Sequence, residues 1–117
     1  PTLCDLAGVA PPAHARGTSV LGSGAGGAVI VQTRFAQGAR RISPDIPVVD
    51  GRMVRTERFK YCVYDHGEHR ESLVDMESDP GESRNLARLP AHAETVAEHR
   101  RILRGFAERT GDPFPLV

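Results

Sequence analysis

Apolar and polar positions alternate with a period of two in several stretches of the chain. Over residues 28–35, Val29, Val31, Thr33 and Phe35 fall on one side, and Ile30, Gln32 and Arg34 on the other. Residues 53–56 and 59–64 repeat the pattern across the short polar interruption Glu57-Arg58. In the second of these, Phe59, Tyr61 and Val63 alternate with Lys60, Cys62 and Tyr64. Such alternation predicts strands with one buried face. A polar turn around Gly67 leads into a fourth short strand over residues 71–76. Strands joined by tight turns form an antiparallel meander.

Near the end of the chain the period changes to that of a helix. Over residues 92–109, Ala93, Val96, Ala97, Leu103, Phe106 and Ala107 make an apolar stripe with Ile102 at its edge and His99 beside it. Glu94, Glu98, Arg101, Arg104 and Glu108 take the other face, and Glu98 lies within reach of Arg101. Pro90 suits the helix start and Gly111 its end. Residues 1–7 show a shorter helical pattern, with Leu3 and Leu6 on one side, Thr2 and Asp5 as a substitute cap, and Gly8 as the stop. Two turns are marginal in water, so this helix needs something to hold it.

Between these elements lie two connections. Residues 9–27 are rich in Pro, Gly, Ala and Ser and read as a linker, mobile over 21–27. No Lys-Ser/Thr follows the glycines of 22–27, so they do not make a phosphate loop. Residues 36–50 are a long polar connection with Gly38, Pro44 and Pro47. Ser78-Asp79-Pro80-Gly81 signals a type II turn, with Pro80 presetting φ and Gly81 supplying a positive φ.

The sum is an α+β arrangement: a small, about four-stranded antiparallel sheet covered on one face by a C-terminal helix, with a short N-terminal helix and a long linker. The second sheet face has no obvious cover. That predicts a piece that docks on something larger, with the face bearing Phe35 or Phe59 as the interface. Pro1 falls inside a helical pattern, which reads as part of a longer polypeptide.

Composition narrows the partners. Fifteen Lys+Arg balance fifteen Asp+Glu in 117 residues, which leaves no electrostatic case for nucleic acid or an acidic membrane surface. No apolar run approaches the ~20 residues of a membrane helix. Cys4 and Cys62 lie far apart with no C-x-x-C pair; two buried free thiols are favoured over one disulfide, which leans toward the cytoplasm while leaving the compartment open.

Three stretches together resemble the end of a sulfatase of the alkaline-phosphatase superfamily. The first is Pro1-Thr2-Leu3-Cys4-Asp5-Leu6-Ala7-Gly8-Val9, followed by Gly17-Thr18-Ser19-Val20-Leu21. The second, Arg52-Met53-Val54-Arg55-Thr56-Glu57-Arg58-Phe59-Lys60-Tyr61, is similar to the family's V-R-T-x-x-Y-K-Y hairpin. The third runs from Ser72 through Asp75, Asp79, Pro80, Gly81 and Asn85 to Ala87, and resembles the E-L-Y-D-L-x-x-D-P-x-E-x-x-N-L phrase before the family's last helix. Leu73-Val74 stands where the family has Leu-Tyr. The resemblance implies a sheet-plus-helix subdomain, residues 28–117, packed on a large α/β catalytic domain, with residues 1–27 as the half-helix and linker that meet it.

The resemblance also implies sulfate-ester hydrolysis by a formylglycine with a calcium ion held by Asp and Asn oxygens. Neither cysteine here lies in a C-x-P-x-R motif, and no Asp-Asp or Asp-Asn pair is present. Calcium and formylglycine are therefore expected in the catalytic domain, and this chain alone is expected to be inactive. Two other readings stand beside this one: a stand-alone interaction module of the same fold, and the equivalent piece of a phosphodiesterase or phosphonate-type hydrolase.

Candidate contacts are few. His66 and His69 in Asp65-His66-Gly67-Glu68-His69 read as a solvated turn first, and as a substrate-rim or metal contact second. Asp75, Asp79 and Glu82 read as turn-stabilising carboxylates before a calcium site. Arg40-Arg41 reads as a solvated loop before a sulfate contact. Arg55, in the most family-like strand, is expected to be structural and to anchor the subdomain by bidentate bonds. Asp79, Pro80, Gly81 and Asn85 are expected to be structural too. Self-association of the chain is expected if the uncovered face is apolar.

Overall fold

The computed structural model describes residues 1–15, 17–22, 27–35 and 48–116. The polar connection over 36–47, with Arg40-Arg41, and the glycine-rich residues 23–26 lie outside the described residues. The elements run in order: helix α1 (Thr2–Leu6), strands β1 (Val29–Phe35), β2 (Val49–Arg55), β3 (Phe59–Tyr64) and β4 (Glu71–Asp75), a 3-10 turn (Pro90–His92), and helix α2 (Ala93–Thr110). The strands form one antiparallel sheet in the order β1-β2-β3-β4, the meander expected from the alternation. The fold is α+β, with α2 across one face.

Register decides what each face carries. Opposed pairs include Ile30 and Val54, Val54 and Tyr61, and Tyr61 and Leu73. Directly opposed residues share a face, so these four lie on the side that α2 covers. Val54, Tyr61, Val63 and Leu73 are fully buried there, with Val96 and Leu103 of α2 against them. Each such side chain contributes about 1.5–3 kcal/mol by leaving water. Leu86 and Phe114, from the segments before and after α2, close the core.

Several boundaries and faces differ from the sequence reading. β2 begins at Val49, not at residue 53, because β1 pairs along its whole length, Phe35 opposite Val49. Tertiary pairing thus extends the strand over Val49-Asp50-Gly51-Arg52, which carries no alternation of its own. α1 has no side-chain cap from Thr2 or any other residue. The buried stripe of α2 is Val96, His99 and Leu103, while Ala93 and Ala97 are exposed. At about 100° per residue, both alanines fall well to one side of that line.

The Asp79-Pro80-Gly81-Glu82 turn closes where expected, with the Glu82 N–H donating to the Asp79 carbonyl at 3.0 Å. Gly81 does not carry the positive φ, so the turn is not type II. The left-handed residue is Glu82 (φ 55°). Its carboxylate is held by Lys60 Nζ at 2.5 Å.

Positions 59 and 35 do not share a face in the register. Phe59 packs against the core, with ring edges toward His92 and His99. The register places position 35 on the opposite side.

Candidate docking face

The side of the sheet away from α2 carries, by register, Val29, Val31 and Thr33 from β1, Gly51, Met53 and Arg55 from β2, Lys60, Cys62 and Tyr64 from β3, and Ser72 and Val74 from β4. Val31, Met53, Cys62 and Tyr64 help line a depression of about 200 Å³ on it. Gly51 makes this depression possible. A Cβ there would stand 2.8 Å from Thr33 Oγ1 and 2.9 Å from the Tyr64 ring, so only glycine lets that ring lie over β2.

Among the described residues, the large apolar ones most exposed to solvent are Leu3, Leu6, Val9, Val20, Leu21, Val29 and Val31. All lie in the first 31 residues of the chain, on α1, the linker and the open side of β1. Leu3 is 80% exposed and Val29 58%. A hydrophobic residue exposed singly needs no explanation, whereas a set of this kind marks an interaction surface.

Many charged side chains among the described residues have partners within the chain. Arg55 donates from Nη1 to the carbonyls of Thr56, Glu57 (2.9 Å) and Phe59 (3.4 Å), stitching the β2–β3 turn. Asp75 accepts a forked pair from Arg58, which holds its carboxyl well below the usual carboxylate range. Asp79 accepts from Ser83 Oγ (3.1 Å) and the Arg84 N–H (2.9 Å), and its pKa is lowered by the backbone donors of Ser83 and Arg84. With Glu82 on Lys60, the three carboxylates each face a separate partner and do not converge on one point.

Asn85 sits on the outer edge of β4. Its Oδ1 accepts from the N–H groups of Leu73 (3.1 Å) and Ala87 (2.9 Å), and its Nδ2 donates to the Glu71 carbonyl at 3.0 Å.

His66 and His69 occupy the β3–β4 turn but have different partners. His66 Nδ1 lies 2.8 Å from Asp65 Oδ1, and Asp65 in turn accepts the Asp50 N–H at 2.9 Å. The bond from His66 lowers the Asp65 carboxyl. His69 stands beside Arg88 Nη1 at 3.4–3.5 Å. His99 is 3% exposed, with Nδ1 donating to the Thr95 carbonyl at 2.7 Å and Nε2 3.2 Å from Thr56 Oγ1.

Cys4 and Cys62 are both free. Burial pushes the Cys62 thiol up, partly offset by Lys60, which is the opposite of an activated nucleophile. Among the described residues, no three His, Cys, Asp or Glu side chains gather to hold a metal. Neither cysteine stands in a C-x-P-x-R motif.

Two polar clusters escaped the sequence reading. Arg100 makes a forked pair with Glu71 (2.8 and 2.5 Å), and Glu71 also accepts from the buried Tyr61 hydroxyl. Burial, foremost, drives the Tyr61 hydroxyl far above its usual range. Arg52 pairs with Asp112 and lies over the Phe114 ring, 4.6 Å from its centroid. Both pairings cross long stretches of sequence, and no local spacing signals them.

No family model matches the chain. It is 38% identical over 114 residues to the Delta 4,5-hexuronate-2-O-sulfatase of Bacteroides thetaiotaomicron, a match covering 97% of this chain and 24% of that protein. The solved structure of a 2-O GAG sulfatase aligns at 34% identity and a TM-score of 0.76, covering 99% of this chain and 26% of that one. An enzyme solved with its substrate D-glucosamine-2-N,6-O-disulfate aligns at 24% identity and a TM-score of 0.70, covering 98% of this chain and 24% of its own; that likeness shows the fold alone. The chain thus spans about a quarter of the length of the sulfatases it matches, and it corresponds to their C-terminal part.

Proposed function

We propose, from this correspondence with the C-terminal part of sulfatases, that the chain is the C-terminal subdomain of a sulfuric ester hydrolase. It stabilises a separate catalytic domain and completes its pocket. The observation that carries the reading is the one-sided exposure. The α2 side of the sheet is packed, whereas α1, the linker and the open side of β1 present Leu3, Leu6, Val9, Val20, Leu21, Val29 and Val31 to solvent. Residues 1–27 and the open sheet face are the surface that would meet the catalytic domain. Any calcium ion and formylglycine would belong to that domain, as the resemblance implies, since neither Cys4 nor Cys62 lies in a C-x-P-x-R motif.

The β3–β4 turn would form part of the pocket rim. Asp65 fixes the ring of His66 through Nδ1, so Nε2 is the atom left to meet an anionic or hydroxyl group of the substrate. In the whole enzyme, His66→Ala then raises KM; unchanged kcat and KM would remove the turn from the pocket.

Sulfate release tests the main reading. A polypeptide carrying this chain in frame behind its catalytic domain should release sulfate from a 2-O-sulfated hexuronate, the substrate class in the name of the Bacteroides relative. The chain alone should release none. Phosphodiester hydrolysis without sulfate release would move the parent to the phosphohydrolase side of the superfamily. Neither activity, with a chain that folds as a dye-silent monomer, would favour a stand-alone module.

A further inference from the structure

The two edges of the sheet are finished differently. Along β4, Asn85 bonds the backbone of Leu73 and Glu71, and the Leu86 N–H donates to the Leu73 carbonyl at 2.7 Å. That edge is taken. β1 ends the strand order, and among the described residues no strand pairs with its outer edge. It runs seven residues, Val-Ile-Val-Gln-Thr-Arg-Phe. It contains no Pro, Gly or Lys, and Val29 and Val31 are 58% and 37% exposed. Natural edge strands carry charges, Pro or bulges to prevent strand addition; β1 has one charge, Arg34, near its C-terminal end and 3.6 Å from Asp50 of β2, and its first five residues have none.

We propose that β1 pairs with β1 of a second copy of this chain, antiparallel about a two-fold axis at Gln32, joining two four-stranded sheets into one. Val29 and Val31 lie on the face that the sulfatase reading gives to the catalytic domain, so the pairing concerns the chain by itself, where that face and the β1 edge are open. With Gln32 opposite Gln32, Val31 faces Thr33, Ile30 faces Arg34, and Val29 faces position 35. The single charge of the strand, Arg34, then meets an aliphatic side chain and never its own copy. Parallel pairing in register would set Arg34 against Arg34, and like charges directly opposite are destabilising. The charge pattern therefore selects the antiparallel arrangement.

Val29 and Val31 of both copies fall on one face and extend each other as a single apolar strip. A two-fold contact is self-complementary and closes at two copies. Further growth is blocked because Asn85 and Leu86 occupy the other edge.

Sedimentation velocity of the chain, with circular dichroism as the check on folding, reads the outcome. The expected result is a dimer at micromolar concentration that Val31→Lys converts to a folded monomer. In a Cys4→Ser, Cys62→Ser background, Gln32→Cys should oxidise to a disulfide-linked dimer. Opposed Cα atoms of an antiparallel pair lie about 4.5–5.5 Å apart, within disulfide reach. Thr33→Cys, two residues out of register with its own copy, should not crosslink. The crosslink pair decides the matter if Val31→Lys fails to fold. A monomeric wild type overturns the proposal. So does a dimer that survives Val31→Lys, or one that Leu3→Lys and Leu6→Lys abolish instead, which would place the contact on α1.

Discussion

Arg52 and Asp112 meet through two parallel hydrogen bonds across 60 residues of sequence, 2.6 Å from Nε to Oδ2 and 2.8 Å from Nη2 to Oδ1. The Asp112 side chain is 3% exposed and also accepts from Gln32 Nε2 at 2.8 Å. The tail that follows α2 is thereby fastened to β1 and β2, with Phe114 under the guanidinium. Removing one partner of a buried pair leaves the other charge uncompensated. Asp112→Ala should therefore destabilise the chain by about 3 kcal/mol, read as a lower urea midpoint. Arg52→Met keeps most of the packing on Phe114 but strands Asp112, and should cost a similar amount at neutral pH and less in acid.

The same pair sets a pH dependence. Arg52 brings the Asp112 carboxyl from 3.8 down to about 2. Arg100 lowers Glu71, and Arg58 lowers Asp75. A group whose folded pKa is depressed contributes stability that is fully present above its unfolded value and is lost as pH falls through the folded one. For Asp112 that window runs from about 4 down to about 2. Urea midpoints should be level from neutrality to about pH 5 and fall steeply below it. In Arg52→Met the acid fall should be shallower.

Gly51 has no room for a side chain. A methyl group would meet Thr33 Oγ1 at 2.8 Å and Tyr64 Cδ1 at 2.9 Å. Gly51→Ala should lower stability by about 1–3 kcal/mol through overpacking, measured as a fall in Tm. Adding Tyr64→Ala should recover part of the loss, since the ring is what the new methyl group displaces.

Tyr61 separates packing from hydrogen bonding in one side chain. Its ring is fully buried, and its hydroxyl donates to Glu71. Tyr61→Phe keeps the ring and leaves Glu71 its forked bond from Arg100, so the loss should be about 1 kcal/mol. Tyr61→Ala should cost about 3–5 kcal/mol, because the cavity lies in the centre of the sheet-to-α2 contact. Thermal or urea unfolding distinguishes the two.

β3 was legible in the sequence to the residue, since its alternation and both flanking turns are local. The first half of β2 was not, because only pairing with β1 makes a strand of Val49-Asp50-Gly51-Arg52. Alternation in β1 separated Val29 and Val31 from Ile30 but could not say which side α2 would cover. The answer came from α2, where Val96, His99 and Leu103 meet the face bearing Ile30 and Tyr61. His99 hid in the core behind its polar identity, with Thr95 and Thr56 facing its ring nitrogens. The open apolar surface was anticipated in kind. Its residues are those of α1, the linker, Val29 and Val31, and Phe59 belongs to the opposite side.

The most direct test replaces the corresponding C-terminal quarter of the Bacteroides Delta 4,5-hexuronate-2-O-sulfatase with this chain and measures sulfate release from that enzyme's own substrate. Removing the quarter altogether should abolish release, the exchange should retain it, and Leu6→Asp with Val29→Asp in the exchanged chain should abolish it again. Release by the enzyme without its C-terminal quarter, or none from a folded exchange protein, would contradict the account of this chain as a sulfatase C-terminal subdomain.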